Sequence, residues 1–243
     1  MDGLRICLAA MLGMIVGSFV MAASWRLPRG LPWVFGRSFC PACGCRLAAR
    51  DLVPILSWLL LTGKTRCCGE RISWLYPAGE AVSASAFVLP VLLLGGQPEV
   101  MFLFVLWGLL ALISLLDLSH RYVPDGAVIA VWLTGLVGSW AGLLVPMGEG
   151  LLASCAVAAA VLLVRYLVGR QIGREALGLG DVKLFAAAGP WVGIYEMPTL
   201  VFVSAGLALL LYPLWRRHDR TREMPFAPAI AMTLYGMACL SAI

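Results

Sequence analysis

The chain has 243 residues, of which 61% are hydrophobic and only 13% charged, and its mean hydropathy is +0.92. These values exclude an ordinary soluble globular domain. The net charge of +5 needs no nucleic-acid partner, because the basic residues are spread over many loops and are not gathered with aromatic residues into a binding surface. The composition therefore predicts an all-α polytopic membrane protein whose basic loops contact anionic membrane lipid.

Apolar segments long enough to cross a bilayer, which takes about 20 residues per helix, recur along the whole chain. They lie at 4–22, 80–95, 100–116, 126–145, 150–168, 198–214 and 225–243. A shorter apolar segment, 183–195, is ambiguous by length. The first segment also fits a cleavable signal peptide loosely, but its removal would leave the basic loop after it without a reason to stay inside.

Lysine and arginine concentrate on the cytoplasmic side of membrane proteins, and here they fit one topology. With the first helix starting outside, the inside segments are 23–79, 117–125, 165–183 and 215–224. These segments hold every basic residue except Arg5. Because this agreement requires 183–195 to cross as well, it predicts about eight transmembrane helices with both termini outside.

Two parts are expected. Residues 1–95 would form a helix pair whose cytoplasmic loop, 26–79, is the only segment large enough to be a separate soluble module. Residues 100–243 would form a six-helix membrane domain.

The predicted loop is rich in cysteine. It contains Cys40-Pro41-Ala42-Cys43-Gly44-Cys45 and, after an apolar stretch, Cys67-Cys68-Gly69. Thiolates two residues apart can approach one ion from the same side, and a second pair can complete a tetrahedron. Since cytoplasmic thiols stay reduced, a zinc-ribbon-like module with structural zinc is favoured over disulfides.

The fourth ligand of this zinc site is open. The regular Cys-x-x-Cys spacing would need a cysteine at position 65, where Thr65 stands, and the neighbours Cys67 and Cys68 seldom both bind one ion without strain. A reduced, metal-free loop is the alternative. The predicted ligands are Cys40, Cys43, Cys68 and, as the fourth, Cys67 or Cys45.

Two aspartates lie where predicted helices meet water. Asp117 ends the apolar segment 100–116, at a helix C-terminus where a negative charge is unfavourable. Asp181 follows Gly178-Leu179-Gly180, whose glycines allow close backbone approach. A carboxylate at a membrane boundary is costly, so a functional role is the default interpretation.

Two further residues accompany this pair. Asp125 follows Pro124 and is either part of the site or a first-turn carboxylate favoured by the helix dipole. Lys183 lies two residues after Asp181. Both are interpreted as supporting residues, together with Gly178 and Gly180.

When two carboxyl groups face each other, the repulsion between their negative charges disfavours ionisation of both, so one is held protonated and the other charged. Such a pair can activate a water molecule and polarise a scissile carbonyl, which predicts an aspartic endopeptidase that needs no metal at this site. Ser119 and His120 are sequence neighbours and cannot supply the geometry of a catalytic triad. Helix order predicts that the ends of the third and sixth helices, which carry Asp117 and Asp181, meet at the inner face.

The chain resembles the type IV prepilin peptidases along nearly its whole length. The matching strings are Gly17-Ser18-Phe19 with Arg26-Leu27-Pro28, Cys40-Pro41-x-Cys43, Asp51 to Trp58, Gly63-Lys64, Cys68-Gly69 through Ile72-Ser73-Trp74, Tyr76-Pro77 with Glu80, Asp117 with Pro124-Asp125, and Gly178-x-Gly180-Asp181-Val182-Lys183-Leu184. The Gly-x-Gly-Asp string is shared with preflagellin peptidases and presenilin-like proteases, whereas the cysteine-bearing loop is typical of the bacterial prepilin type.

The resemblance implies an enzyme of the bacterial inner membrane. It would remove the basic leader from type IV prepilins or type II secretion pseudopilins at the cytoplasmic face, with Asp117 and Asp181 as the catalytic pair. Members of the family usually also methylate the new N-terminus with S-adenosylmethionine, an activity associated with the N-terminal half.

The sequence departs from the family pattern at two positions in that half. Met21 stands where Asn is common, and Thr65 where Cys is common. These departures leave methyl transfer an open question. Glu80 is the candidate residue for it, and its alternative role is to pair with a basic residue at the helix entrance.

A non-catalytic reading is the alternative function. A metal-bearing loop on a helical bundle also suits a docking subunit of a secretion or pilus system, and paired acidic residues serve proton-coupled transporters. A transporter would show helices broken at mid-bilayer and internal pseudo-symmetry, and neither is visible in the sequence. The docking role predicts that Asp117 and Asp181 can be neutralised without loss of function.

Overall fold

A computed structural model of the protein describes residues 2–173, 177–218 and 224–242. Residues 174–176 and 219–223 of the predicted inside loops lie outside the described residues. The described parts contain nine α-helices and, apart from two isolated bridges, no β structure. In chain order the helices are α1 Asp2–Arg26, α2 Leu56–Leu60, α3 Leu75–Leu94, α4 Glu99–His120, α5 Asp125–Trp140, α6 Met147–Ile172, α7 Leu179–Ala187, α8 Gly189–His218 and α9 Ala227–Ser241.

Five helical segments are long and apolar enough to cross a bilayer, and they make the chain a multi-pass membrane protein. They are Gly3–Arg29, Leu75–Leu94, Glu99–His120, Met147–Gln171 and Gly189–Pro213. Two shorter apolar helices, Asp125–Trp140 and Ala227–Ser241, lie at other predicted crossings. The helical fold class is confirmed, while the number of eight crossings stays a prediction.

The ambiguous segment 183–195 is not one continuous helix. Helix α7 ends at Ala187, α8 begins at Gly189, and Gly193 interrupts α8 with φ 71° and ψ 175°. The carboxylate of Glu149 on α6 lies at this kink, where its Oε1 accepts a hydrogen bond of 3.2 Å from the N–H of Ile194. An acceptor from another helix thus satisfies a backbone donor that the kink takes out of the helical ladder.

The chain divides into two compact units, Met1–Gly96 and Gln97–Ile243. In the first unit α1 and α3 pack closely along their length. A Cβ atom at Gly17 would lie 2.8 Å from Ser83 Cβ, and the side chain of Met21 lies against Gly79. Because the partner number falls as the residue number rises, the two helices are antiparallel, and the cysteine-bearing loop joins them at one end.

In the second unit α4 lies between α5 and α9, and α8 packs against both α6 and α9. The core is made of large apolar side chains that are fully buried, namely Leu103, Leu106, Ile113, Leu116, Leu200, Ile230 and Leu234. Trp191 is also buried, and it donates its Nε1–H to the carbonyl oxygen of Val131 at 3.0 Å, so its polar atom is satisfied. This core fixes the helix ends that carry the acidic residues.

Candidate active site and candidate metal centre

Asp117 lies in the last turn of α4, and only 7% of its surface is exposed. Its Oδ2 accepts a hydrogen bond of 3.0 Å from the N–H of Ala227, the first residue of α9, and the N–H of Phe226 also donates to this carboxyl. The first amides of a helix have no partner within that helix and carry partial positive charge. The start of α9 therefore stabilises a carboxylate that the C-terminal end of α4 alone would not favour.

Arg121 follows Asp117 by one turn and adds positive charge to the same place. It closes α4 in a left-handed conformation with φ 52°, and its charge acts on the Asp117 carboxyl. Its guanidinium carbon lies 4.5 Å from the centre of the Trp215 ring on α8. This cation–π contact fixes the arginine beside the carboxylate.

Asp181 is the third residue of α7 and lies outside the five candidate membrane spans. Its carboxyl accepts the N–H of Gly178, the residue that precedes the helix, as in the reciprocal half of a capping box. Burial and, to a lesser extent, the negative charge of Asp117 raise the pKa of Asp181 to about 7, while the hydrogen bond from the N–H of Gly178 opposes this rise. Near neutral pH the protonated form of this carboxyl is therefore well populated, unlike that of an ordinary aspartate.

The two sequence-predicted aspartates thus act on each other electrostatically, although they come from different helices. Asp117 accepts two backbone N–H groups and lies beside Arg121, contacts that favour a negative charge, whereas Asp181 keeps its proton to a higher pH than an ordinary aspartate. The arrangement provides one carboxylate and one carboxylic acid near neutral pH. Such a pair can take a proton from water and give one to a carbonyl oxygen.

Asp125 and Lys183 form an ion pair beside this site. The Nζ of Lys183 lies 2.7 Å from Oδ1 of Asp125, and the two side chains are 50% and 65% exposed. A pair this exposed contributes about 0–1 kcal/mol to stability. It connects the start of α5 with α7, so it is a tie between elements that hold the site.

Gly180 lets α7 approach the loop before α5. A Cβ atom at this position would lie 2.8 Å from the Cβ of Val123, which is closer than non-bonded carbons normally come. The glycine of the Gly-x-Gly-Asp string is therefore required by packing. Its neighbour Asp181 is held in place by the same approach.

Sequence reasoning missed the amides of Phe226 and Ala227 and the placement of Arg121. A signal existed for the amides, because Pro228 in the first turn marks the beginning of a helix. Nothing local to Asp117 indicates that this helix begins beside it. The rings of Phe226 and Phe185 on α7, 5.8 Å apart, link the same helix start to the helix of Asp181.

The cysteine-bearing loop contains two turns of the same design. In the first, Cys40 N–H donates to Cys45 O at 2.8 Å and Gly44 N–H donates to Cys40 O at 2.8 Å. In the second, Thr65 N–H donates to Glu70 O at 2.8 Å and Gly69 N–H to Thr65 O at 3.0 Å. Each turn ends in a glycine with φ 72° and is flanked by an antiparallel bridge, Phe39 with Arg46 and Lys64 with Arg71.

This equivalence places Thr65 where the first turn has Cys40, and Cys68 where it has Cys43. The second turn thus lacks its first cysteine. Cys67, which occupies the position of Ala42 in the first turn, supplies the fourth sulfur atom of the cluster instead. The hydroxyl of Thr65 lies 3.2 Å from Cys68 Sγ. The adjacent residues Cys67 and Cys68 therefore both face the cluster, an arrangement the sequence suggested would be strained.

The four sulfur atoms of Cys40, Cys43, Cys67 and Cys68 all lie within 4.8 Å of one another. Three of the separations are 3.7 Å for Cys40 and Cys68, 3.5 Å for Cys43 and Cys67, and 3.9 Å for Cys67 and Cys68. Four thiolates around a tetrahedral zinc, each about 2.3 Å from the ion, would be about 3.8 Å apart. The residues therefore fit a zinc ion.

Cys45, the other candidate for the fourth ligand, contacts the carbonyl oxygen of Arg46 at 3.5 Å and is not part of the cluster. The Cys40 side chain is buried, and the backbone N–H groups of Cys43 and Ala42 lower the pKa of its thiol to about 6. A thiolate at neutral pH is the form that binds a metal ion.

Glu80 lies on α3 in the same unit and is 6% exposed. Its Oε2 accepts a hydrogen bond of 2.6 Å from the backbone N–H of Ile55. Ile55 has φ 59°, a strained conformation for a β-branched residue. The carboxylate therefore contacts the loop at a strained residue, just before α2.

Comparison with protein families assigns both halves of the chain. Residues 11–94 match the bacterial peptidase A24 N-terminal domain, and residues 103–214 match the type IV leader peptidase family. No solved structure matches the chain.

Curated relatives match over nearly the whole length. A prepilin leader peptidase/N-methyltransferase of Dickeya chrysanthemi is 33% identical over 94% of the chain and 91% of that protein. One of Bacillus subtilis (strain 168) is 32% identical over 94% of both. A type 4 prepilin-like proteins leader peptide-processing enzyme of Escherichia coli O78:H11 is 31% identical over 93% of the chain and 90% of that protein. The resemblance drawn from the motifs is thereby confirmed: the chain belongs to the type IV leader peptidase family.

Proposed function

We propose that the protein is a membrane aspartic endopeptidase that removes the basic leader from type IV prepilins or type II secretion pseudopilins. Leader processing is the activity for which the relatives are named. The observation that supports the catalytic assignment is that burial and the charge of Asp117 together raise the pKa of Asp181 to about 7. The two residues are the proposed catalytic pair.

In the proposed mechanism Asp117 is the general base. Its charged form is stabilised by the N–H of Ala227, and it takes a proton from a water molecule whose oxygen attacks the scissile carbonyl carbon. Asp181, in its protonated form, gives its proton to the carbonyl oxygen, so a neutral gem-diol forms. Each carboxyl has then exchanged its protonation state with the other.

Collapse of the gem-diol restores the pair. Asp117 gives its proton to the amide nitrogen of the leaving peptide, while Asp181 takes back a proton from one hydroxyl of the diol. The C–N bond breaks, the leader leaves with a new carboxyl end, and the mature pilin leaves with a free amine. No metal takes part in these steps.

The supporting residues position this pair. Gly178 donates its N–H to Asp181, Gly180 allows α7 to approach the loop at Val123, and Lys183 joins α7 to Asp125. We assign them no contact with the reacting atoms. The basic loops at these helix ends support a location of the pair at the cytoplasmic face of the bacterial inner membrane.

The cysteine cluster is the proposed site of a structural zinc ion held by Cys40, Cys43, Cys67 and Cys68. A bound zinc would cross-link the two turns, and it would stabilise a loop that has little hydrophobic core of its own. The Met1–Gly96 unit carries this centre, and the Gln97–Ile243 unit carries the aspartates.

A second activity, methylation of the new N-terminus, is proposed on the names of the relatives from Dickeya and Bacillus. S-adenosylmethionine would give its methyl group to the free amine of the mature pilin, which loses a proton. Glu80 is the residue to test. Its carboxylate holds the Ile55 amide, so its role would be to position the loop.

Both activities can be measured in one reaction. The purified protein in lipid bilayers is mixed with a prepilin that carries a basic leader, and mass spectrometry follows the products with and without S-adenosylmethionine. Loss of the leader mass is the result expected for the peptidase, and one added methyl group is expected for the transferase. A prepilin that stays intact would count against the peptidase, and an unmodified mature pilin would count against the transferase alone.

A further inference from the structure

Helix α2 carries an exposed apolar face. Leu56, Leu59 and Leu60 lie three and four residues apart, so they share one side of the helix, and they are 53%, 59% and 73% exposed. Trp58 points the other way and donates its Nε1–H to the carbonyl oxygen of Ile72 at 3.1 Å. The tryptophan thus anchors α2 to the cysteine-bearing loop, while the leucines face outward.

The beginning of α2 lies against a membrane span, because Ile55, the residue before α2, donates its N–H to Glu80 of α3 at 2.6 Å. Trp74, which is 67% exposed, directly precedes α3, and Leu75, the first residue of α3, is 53% exposed. Helix α3 is one of the five candidate spans. Tryptophan is enriched at the boundary between lipid and water, so Trp74 indicates where α3 enters the bilayer, and the contact of Ile55 with Glu80 keeps α2 near the beginning of that helix.

Between α2 and Trp74 the loop forms an open cavity of roughly 550 Å³. Its lining includes both indoles, Trp58 and Trp74, together with Lys64, Arg71 and Ser73. Lys64 and Arg71 are paired across the antiparallel bridge of the second turn, which places two positive charges side by side. A hydroxyl and two cations suit a phosphate group.

The charge of the whole loop favours an anionic occupant. Between residues 31 and 74 there are six basic residues and two acidic ones. A basic prepilin leader would be repelled by this surface, whereas an anionic bilayer attracts Lys and Arg by about 1 kcal/mol each. Exposed leucines beside the start of a span also need an apolar environment, which the bilayer interface supplies.

We propose that Leu56, Leu59, Leu60 and Trp74, with the cavity of Lys64 and Arg71, form an interfacial patch that binds anionic phospholipid. The leucines enter the boundary between headgroups and acyl chains, and the two cations bind the lipid phosphate. The patch holds the cysteine-bearing loop flat on the membrane. This inference rests on the first unit alone and is independent of the peptidase chemistry.

The test uses the full-length protein in nanodiscs of mixed anionic and zwitterionic phospholipid, with the photo-crosslinking residue p-benzoylphenylalanine in place of Leu60. Irradiation should give lipid adducts in which the anionic lipid is enriched over its share in the bilayer. The same residue in place of Glu70, in the same loop, is the control and should give few lipid adducts. Crosslinks to a second copy of the chain or to added prepilin, in place of lipid, would overturn the proposal.

The charges are tested in the same background. Lys64→Gln and Arg71→Gln should each lower the enrichment of anionic lipid in the adducts by about fivefold. Arg46→Gln, at the position of the first turn that is equivalent to Arg71, removes the same charge away from the cavity and should leave the enrichment unchanged. If all three variants lowered the enrichment equally, the anionic lipid would be attracted by the overall charge of the loop, and the proposal of a specific site at Lys64 and Arg71 would be wrong.

Inorganic phosphate separates the lipid from a free anion. Added at constant ionic strength, it should leave the enrichment unchanged, because the leucines keep the loop at the bilayer, where the effective concentration of lipid phosphate far exceeds that of the added anion. If phosphate abolishes the enrichment where chloride does not, the cavity is a site for free phosphate and the lipid assignment is wrong.

Discussion

The Oδ2 of Asp117 accepts a hydrogen bond from the backbone N–H of Ala227 at 3.0 Å, although the two residues are 110 positions apart. This contact puts the C-terminal end of α4 against the N-terminal end of α9. The first amides of α9 are free to donate, so they stabilise a charge on Asp117. The same helix start reaches α7 through the ring contact of Phe226 with Phe185. One helix terminus therefore organises both halves of the proposed catalytic pair.

Cleavage should slow as the pH rises above about 7. Burial, together with the charge of Asp117, raises the pKa of Asp181 to about 7, and the proposed mechanism needs this carboxyl in its protonated form. Above that pH, kcat/KM should fall by about tenfold per pH unit, since the protonated fraction falls in that proportion. Initial rates between pH 5 and 9 measure it. A flat profile from pH 6 to 9 would contradict the assignment of Asp181 as the acid, and Asp125→Asn should keep the profile of the wild type.

Asp181 should also make the fold less stable at high pH. Its pKa is raised from 3.8 to about 7 in the folded protein, so between these values the folded state binds a proton that the unfolded state has released. Stability then falls as the pH rises from about 4 to 7. Asp181→Asn, which cannot ionise, should unfold at a higher temperature than the wild type at pH 8, and this difference should shrink steadily as the pH is lowered to about 4. Thermal unfolding in detergent checks this. If the gain in unfolding temperature of the variant over the wild type became larger as the pH fell, the prediction would be contradicted.

Gly180→Ala should reduce cleavage by displacing α7. The added methyl group would lie 2.8 Å from the Cβ of Val123, so either the loop before α5 or the helix must move. A shift of a catalytic group by a fraction of an ångström lowers the rate, and we expect a loss of about 10-fold to 100-fold. Val123→Ala keeps its Cβ, so the double variant should recover only part of the activity, whereas Val123→Gly with Gly180→Ala should recover most of it. No recovery in either double variant would show that the glycine is needed for another reason.

The zinc site makes a prediction that separates the two candidates for the fourth ligand, Cys67 and Cys45. Cys67→Ala removes one of the four clustered sulfur atoms and should abolish stoichiometric zinc in the purified protein, whereas Cys45→Ala, a matched change in the same loop, should leave it unchanged. Elemental analysis of both variants measures the metal content. In a further variant, Thr65→Cys with Cys67→Ala, the regular spacing of the turn returns, and zinc should return with it. Zinc that survives Cys67→Ala and is lost with Cys45→Ala would reverse the ligand assignment.

Much of the fold follows from the sequence, because a bilayer of fixed thickness sets the length of each apolar segment. For this reason α3 ends at Leu94 where 95 was predicted, α4 begins at Glu99 where 100 was predicted, and α6 begins at Met147 where 150 was predicted, while the opposite ends of these helices extend four or five residues beyond the prediction. The kink at Gly193 could not be foreseen, since a single glycine in an apolar stretch is compatible with a continuous helix and the acceptor that compensates the kink, Glu149, comes from another helix.

The site was predictable in its residue types and not in its contacts. Asp117 and Asp181 could be singled out because a charge is costly at a helix end in a membrane. The amide of Ala227 is invisible in the sequence near Asp117, as it depends on how α4 and α9 pack. The choice between Cys67 and Cys45 likewise depends on the register of the second turn, in which Thr65 takes the position of Cys40.

The most direct test of the central claim is leader cleavage by three matched variants in lipid bilayers: Asp117→Asn, Asp181→Asn and Asp125→Asn. Each removes one carboxylate with almost no change in size. The first two variants should lose cleavage by at least about a thousandfold, because one carboxyl must take a proton from water while the other gives a proton to the carbonyl oxygen. Asp125→Asn should stay within about threefold of the wild type, since its exposed ion pair contributes little. Cleavage that survives in Asp117→Asn or Asp181→Asn would contradict the aspartic pair, and an unaltered pilus or secretion phenotype in such a strain would favour a docking role.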